Sequence, residues 1–497
     1  MIKKKIYIGG GFSYDQLLWV IPILDKYNNN RINQLIFQNF SKKILKNKSI
    51  NDILKKYEIL NHDLAFPFFL KYKYLRYIYV LFVYFPLIFF LSFYVSRFNI
   101  LNKKISWFKS QIMHAVWDTS LLMCKDNETE PNYLVKFFAS FKCIYSYFLA
   151  KKLADFGVSE VFLGHSVYNY RCMLAYFRER KIPVISQASF NLHKQKIKTD
   201  FHWSEISKKN FLKFKKKISF EIVNKYFRRR NIGKGNYLDS VNAIKKKINN
   251  LNEKYNIIFL HVFKDSPFNC IDRGRIFADY YHWIEETLLH IKSSNEKWLL
   301  RLHPSHKKWG ENQLQILNSI IRNIYKSKLP NNIFIEKNKF SNIELFKNAQ
   351  KIITFNGTVE LEAACFGLKP IVISSQLLQK IDKSMVFKPK TRKEYFDLIN
   401  TPITNNKTSS FFKLDKNSVE KAKLLLFIRE NVFYIKKILC ATEMYRKDSY
   451  FKKNKNFNMI SKNILINKNY LFKLGEYLRS KRSIQVVNPK YLNFIDG

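Results

Sequence analysis

The chain has 497 residues, 47% of them hydrophobic, and single cores stop growing beyond roughly 250–300 residues, so two domains are expected. Lys and Arg outnumber Asp and Glu by 87 to 38, a formal net charge of +49, which attracts anionic membranes or phosphorylated ligands. The cations are spread through the whole chain among many Asn, Ile, Phe and Tyr, the pattern of a coding bias filling permissive surface positions. No ordered aromatic motif or recognition helix accompanies them, so a nucleic-acid partner is not expected.

Lys4 to Gly9 reads as a strand that runs into Gly9-Gly10-Gly11 and then an apolar-periodic stretch from about Tyr14 to Leu24. This is the strand–turn–helix opening of a doubly wound sheet. Ile6-Tyr7-Ile8 is too short for a signal-peptide core, so a cytoplasmic location is expected. A second strand fits Gln34 to Gln38, and then comes Tyr77 to Val95, a run of about 19 uncharged residues, roughly the length that crosses a bilayer. Lys71, Lys73, Arg76, Arg97, Lys103 and Lys104 flank it. Because strands of one domain stand on both sides, the expectation is a helix or a hairpin bent at Pro86 that dips into one leaflet. A core helix and a true span are the alternatives. Helices follow from about Asn132 to Phe156, then a strand from Val158 to Gly164, a helix from Asn169 to Lys181 and a strand over Ile182 to Ile185. Residues from about 191 to 253 are basic, polar and helical, broken by Gly233 and Gly235, and suit a domain boundary. Cys124, Cys143, Cys172, Cys270, Cys365 and Cys440 stand far apart without a C-x-x-C pair, and are expected to be reduced thiols.

The alternation restarts at Tyr255 to Phe263 and continues with strands at Lys297 to Leu302, Asn332 to Glu336, Lys351 to Phe355 and Lys369 to Ser374. Helices lie between them, at Phe277 to Lys292, Gln313 to Lys326, Ile343 to Ala349 and Val359 to Phe366. Such β–α alternation implies a parallel sheet covered on both faces. The expected fold class is therefore α/β: two Rossmann-like doubly wound parallel-sheet domains facing a cleft, with a hydrophobic helical insertion in the first. The boundaries are 1–245, with the insertion at about 72–104, then 254–417, and a helical tail over 418–497.

Three strand ends carry chemistry. In Trp298-Leu299-Leu300-Arg301-Leu302-His303-Pro304 a period of two projects Arg301 and His303 from one face, and Pro304 stops the strand. Such a pair can hold phosphate oxygens, and the imidazole can protonate a leaving phosphate. In Thr354 to Ala364 a strand ends, Asn356-Gly357 turns, and Thr358 is expected to cap a helix whose free N–H groups favour an anion. Glu362, one turn on, could reach ribose hydroxyls, whereas Glu360 is expected to be solvated. His261 and Asp265 close the first strand of the second unit, where no G-x-G-x-x-G follows to grip a dinucleotide. On the acceptor side Asp15 and His165 are acid/base candidates, or else a helix cap and a turn residue.

The order H-x-F-x-D, a helix containing Trp283, L-R-L-H-P, and N-G-T-x-x-x-E-A followed by G-L-K-P-I-V resembles the capsule polysaccharide biosynthesis family, which includes Kdo-transferase-like enzymes. Gly164-His165-Ser166 with Tyr170-Arg171 is similar to that family's N-terminal unit, and the resemblance covers roughly Val158 to Ser375. It implies a GT-B fold and a metal-independent glycosyltransferase without cofactor. The nucleotide-sugar donor would be held by His261, Asp265, Arg301, Pro304, Asn356, Gly357, Thr358 and Glu362, with His303 catalytic. The acceptor side would hold Gly10, Gly11 and Arg171 beside Asp15 and His165. In relatives that use CMP-sugars the His-Pro step, here His303 and Pro304, contacts the nucleotide phosphate; Asn356 stands where the family often has Ser or Thr. The implied partners are a nucleotide sugar, a glycan or glycolipid acceptor of surface polysaccharide assembly, and an anionic membrane face with peripheral attachment. A nucleotide-sugar epimerase, a polyol-phosphate transferase and a non-catalytic basic scaffold are the competing readings. No D-x-D motif for a metal stands at a strand end.

Overall fold

The computed structural model describes residues 4–9, 20–37, 48–61, 66, 70, 72–102, 104–126, 128–164, 166–188, 191–194, 208–214, 220–231, 253–265, 276–304, 306–326, 329–337, 340–374, 378–403, 406–432 and 464–479. Two sheets organise them. The first has the order β3-β2-β1-β4-β5-β6, built from β1 (Lys4–Gly9), β2 (Ile32–Phe37), β3 (Glu58–Asn61), β4 (Glu160–Leu163), β5 (Val184–Ala188) and β6 (Asn191–Lys194). All neighbours are parallel except β5 and β6. The antiparallel β6 is a strand where the sequence pattern suggested a polar, helical boundary.

Alternation decides the layers. Ile6 and Ile8 of β1 and Leu35 and Phe37 of β2 enter one core, whereas Tyr7 and Ile36 enter the core on the opposite face. Successive strand side chains point to opposite faces, so a run buried on both sides needs cover on both. Helices α1 (Val20–Tyr27), α2 (Lys73–Tyr94), α3 (Trp107–Met123), α4 (Tyr133–Asp155) and α5 (Tyr170–Glu179) follow in this half. Of these, α1 contributes to the first core and α4 and α5 to the second.

The second sheet has the order β11-β10-β7-β8-β9 and is parallel throughout. Its strands are β7 (Tyr255–Phe259), β8 (Trp298–Arg301), β9 (Ile333–Glu336), β10 (Ala349–Thr354) and β11 (Ile371–Val372). The helices of this half include α6 (Phe220–Asn231), α7 (Tyr280–Ile291), α8 (Gln313–Tyr325), α9 (Asn342–Lys347), α10 (Thr358–Cys365), α11 (Arg392–Asn400) and α12 (Lys416–Phe427), and α13 (Lys468–Arg479) follows in the tail. In both sheets the strand order reverses beside the first strand, between β1 and β4 and between β7 and β10. Crevices for ligands open outside the carboxyl ends of strands at such reversals. The architecture is α/β, two Rossmann-like doubly wound units, in agreement with the sequence pattern.

The two units share buried material. Met113, Val116 and Trp117 of α3 lie in one apolar cluster with Tyr280, Tyr281 and Trp283 of α7. Val223 of α6 packs with Leu361 and Ala364 of α10 and Leu424 of α12, so this helix lies on the second unit. The tail returns to the first: α13 sets Leu471, Leu474 and Leu478 into the core of α1. Cys124, Cys143, Cys172 and Cys365 are buried free thiols, while Cys270 and Cys440 lie outside the described residues.

Helix α2 runs unbroken through Pro86, so of the helix and the hairpin expected there the chain forms the helix. Its buried positions Arg76, Val80, Ile88 and Ser92 recur at multiples of four and form one spine, which lies against α4. The strand before the insertion and the strand after it are hydrogen-bonded neighbours, Ile6 opposite Glu160 and Ile8 opposite Phe162. A sheet cannot be shared across a bilayer, so the two flanks of α2 stand on one side of any membrane.

Candidate functional site at the facing strand ends

The loops after β7, β8 and β10 build the site. His261 leaves the end of β7 and stacks on the Tyr280 ring, with centroids 4.6 Å apart and planes at 11°. His303 leaves the end of β8, its ring centroid 5.5 Å from that of His261. Asn356, after β10, donates from Nδ2 to Tyr280 Oη at 3.4 Å. Two imidazoles, a phenol and a carboxamide thus gather at the reversal in strand order. Both histidines are half-buried, with Pro304 beside them also half-buried. Burial lowers the His261 pKa against the opposing pull of Asp265. Burial first, then His261 and the Arg230 guanidinium, hold His303 well below the usual histidine range. Both rings are therefore neutral at neutral pH, each with one N–H donor and one acceptor nitrogen.

One buried side chain sets the spacing of the two loops. Gln313, the first residue of α8, donates from Nε2 to the His261 carbonyl at 2.6 Å and accepts the His303 backbone N–H at Oε1, 2.5 Å away. Its own backbone N–H meets His306 Nδ1 at 3.3 Å. The sequence offered one signal for it, an amide residue at the start of a helix just past the His-Pro step, and the pattern reading missed it.

The anion-favouring turn differs in detail from expectation. Gly357, with φ +119°, is the N-cap, and Thr358 is the first helical residue without a capping hydrogen bond. A left-handed φ suits glycine, and it moves the cap one position back. The start of α10 remains at the end of β10, with the Glu360 N–H turned back to the Gly357 carbonyl at 3.3 Å. Glu360 is buried rather than solvated, because α10 is enclosed by the sheet on one side and α12 on the other.

Glu362 is fully engaged. Its carboxylate accepts from Tyr226 Oη at 2.6 Å and Asn342 Nδ2 at 3.0 Å, and pairs with Arg230 at 2.7 Å. Burial works against the Arg230 charge, but Glu362 more than offsets it and the pKa rises. Arg230, which also acts on the field at His303, is a cation at this edge that sequence reasoning assigned to the inter-domain stretch. Arg301 pairs with Glu336, its register neighbour on β9, and donates to the Phe340 carbonyl at 2.8 Å. The shared strand face therefore does not make Arg301 and His303 one phosphate clamp; the guanidinium ties β8 to the loop after β9.

The first unit meets this edge directly. Tyr168, after β4, donates to Asp265 Oδ1 at 2.9 Å. Asp126, after α3, holds Lys264 Nζ at 2.5 Å and the Asn312 backbone N–H at 2.8 Å. Trp117 Nε1 donates to Asp279 Oδ2 at 3.0 Å, and Asp279 caps α7 through the His282 N–H. Arg97 reaches Glu285 at 2.5 Å. Arg171 is buried against Asp118 of α3 at 3.4 Å, inside the first unit. Gly10, Gly11, Asp15 and His165 lie outside the described residues. Among the described residues no group of three or more His, Cys, Asp or Glu side chains is placed to hold a metal ion.

The fold is GT-B-like in arrangement: two Rossmann-like units whose strand-end loops touch, with the two imidazoles placed among the described residues on the second. No family model matches the sequence, and no curated protein matches it. Among solved structures the chain is similar to the beta Kdo 2,4 transferase KpsC of Thermosulfurimonas dismutans, at 12% identity and TM-score 0.33, covering 56% of this chain and 81% of that one. It is also similar to the UDP-GlcNAc 2-epimerase of Neisseria meningitidis bound to UDP-GlcNAc, at 11% identity and TM-score 0.29, covering 86% and 98%. A third is the UDP-GlcNAc 2-epimerase of Methanocaldococcus jannaschii, at 12% identity and TM-score 0.24, covering 86% and 99%. The architecture rests on the strand pairings themselves.

Proposed function

We propose that the chain is a nucleotide-sugar-dependent glycosyltransferase of surface polysaccharide assembly, with the donor on the second unit and a glycan or glycolipid acceptor on the first. The observation that carries it is the meeting of His261, His303, Tyr280 and Asn356 at the strand-order reversal beside the N-terminus of α10. A helix N-terminus and neutral N–H donors suit an anionic diphosphate or phosphodiester. His303 is the group we assign to the leaving phosphate. A neutral imidazole donates a hydrogen bond to the departing oxygen, and that bond strengthens as negative charge develops there, without the ring giving up its proton. Tyr280, buried beneath His261, holds that ring in place, and Asn356 offers a carboxamide for sugar or base edges. Acceptor activation falls to Asp15 or His165.

The test is a panel of UDP-, GDP-, CDP- and CMP-sugars with the purified protein, read by thermal shift and by product analysis. A ligand that binds only the native state raises its melting temperature. Release of free nucleotide that depends on an added glycan or glycolipid supports the transferase. Conversion of the donor sugar without acceptor would make it an epimerase, and no nucleotide response at all would remove the donor assignment.

A further inference from the structure

Helix α2 is the one helix among the described residues long and apolar enough to cross a membrane, yet only 17% of its most apolar window is buried. Away from the spine on α4 its side chains are open: Phe82 is 76% exposed, Phe90 67% and Phe93 62%. Nor does the surface stop at one helix. Phe93 meets Tyr133 of α4 at 4.6 Å between centroids, Phe89 meets it at 6.0 Å, and Phe85 meets Phe137 at 6.0 Å. Tyr133, Leu134 and Phe138 of α4 are themselves exposed. Two helices thus present one continuous apolar and aromatic face, far larger than single exposed side chains need.

Charge identifies the occupant. No Asp or Glu occurs between Asp63 and Asp118, while Lys73 at the start of α2, Lys104 in the segment after it and Lys109 in the first turn of α3 are exposed. Lys142 is exposed on α4. The acidic group nearest in sequence to the face on α4, Glu130, pairs with Lys136 at 3.5 Å. A second copy docked through this face would set lysines against lysines, whereas lipid phosphates neutralise them. A span is excluded by the pairing of β1 with β4 across the insertion. We infer that α2 and the start of α4 form a monotopic membrane-docking face that lies in the plane of one leaflet, with the aromatic rings in the acyl boundary and the lysines at anionic headgroups. The inference deepens the acceptor reading, since a lipid-linked acceptor would then arrive from the surface the protein sits on, but it stands on its own observations.

The experiment is co-sedimentation of the full chain with phosphatidylglycerol/phosphatidylcholine vesicles and with phosphatidylcholine vesicles, without nucleotide or glycan, so that it succeeds or fails independently of the transferase. Wild type is expected to pellet with the anionic vesicles. Phe82→Glu with Phe90→Glu should lower binding at least about tenfold while the circular dichroism melt is kept, and Lys73→Glu with Lys104→Glu should weaken binding to anionic vesicles alone. Should the phenylalanine variant fold poorly, quenching of the wild-type tyrosines by brominated lipid gives the same answer. Wild type left in the supernatant, substituted protein that binds as well as wild type, or a dimer that Phe90→Glu dissociates would each overturn the proposal.

Discussion

Tyr168 donates its phenolic hydrogen bond to Asp265 at 2.9 Å, and so ties the loop after β4 to the loop after β7 across the two units. Tyr168 has φ +54°, a conformation held only when its surroundings insist on it. Tyr168→Phe should keep the fold and cost about 0.5–1.5 kcal/mol of stability, the net worth of one such hydrogen bond. Chemical denaturation measures it. If the bond also sets how the units approach around substrate, turnover falls by more than the stability change accounts for; unchanged denaturation and turnover would make it incidental.

Gln313 is expected to matter more than its distance from any reacting atom suggests. Gln313→Ala frees the His261 carbonyl and the His303 N–H, both part-buried, at a cost of about 1 kcal/mol, the lower end for groups left unsatisfied. Nucleotide affinity should fall with it, because the two imidazoles lose their fixed spacing. Gln313→Glu keeps the acceptor for His303 and loses the donor to His261, so it should lie between wild type and alanine in both measurements.

For Glu362 the structure changes the expected signature. With Tyr226, Arg230 and Asn342 on its carboxylate, Glu362→Ala leaves the Arg230 cation without its partner, and loss of one member of a buried pair costs about 3–5 kcal/mol. Arg230 is 21% exposed in its side chain, so the lower end of that range is expected. Glu362→Ala combined with Arg230→Met should recover part of the loss. Donor affinity that drops in Glu362→Gln while denaturation is unchanged would return this carboxylate to the ribose.

Much of the fold was legible because β–α alternation is a local pattern: nearly every strand and helix from Val158 to Ser374 sits within a few residues of its expected place. What the pattern could not show is pairing. Arg301 and His303 share a strand face by period, but the partner on the neighbouring strand, Glu336, is fixed only by register. Glu362 was visible as a carboxylate one turn into a helix, yet Arg230 and Tyr226 come from more than a hundred residues upstream. Gln313 carries no motif at all. The insertion was legible as a lipid-length apolar run, but the choice between one helix and a hairpin was not, because the contact of its buried spine with α4 is tertiary.

The pH dependence follows from burial, with opposite signs for two sets of groups. His261 and His303 have folded pKa values below the usual 6.5 or so of an unfolded histidine. The unfolded chain therefore binds more protons in that window, and stability falls as pH drops below about 6.5. Burial raises the Glu311 carboxyl to about 7, so its contribution is present below the ordinary carboxylate range and lost as pH rises toward 7. His303→Gln should flatten the acid limb of the stability profile, and Glu311→Gln should improve stability on the alkaline side. A bound phosphate favours the protonated rings, so nucleotide affinity should tighten from pH 8 to pH 6 in wild type and less so in His303→Gln.

The returning tail depends on one close crossing. Gly475 lies in α13 where it passes α1, and a Cβ there would stand 2.4 Å from the Ile23 carbonyl oxygen and 2.7 Å from Lys26 Cβ. The first contact is backbone, which cannot swing aside as a long side chain does, so the helices must separate. Separation would uncover Leu471, Leu474 and Leu478 from the core they share with Ile21 and Leu24. Gly475→Ala is therefore expected to destabilise by about 1–3 kcal/mol, the usual cost of overpacking, against the small gain alanine brings to an isolated helix. Limited proteolysis separates the outcomes: cleavage beyond residue 432 should accelerate in the variant while the second unit, with its site, stays resistant. A variant as stable and as protease-resistant as wild type would mean that α13 does not hold the first unit through this crossing.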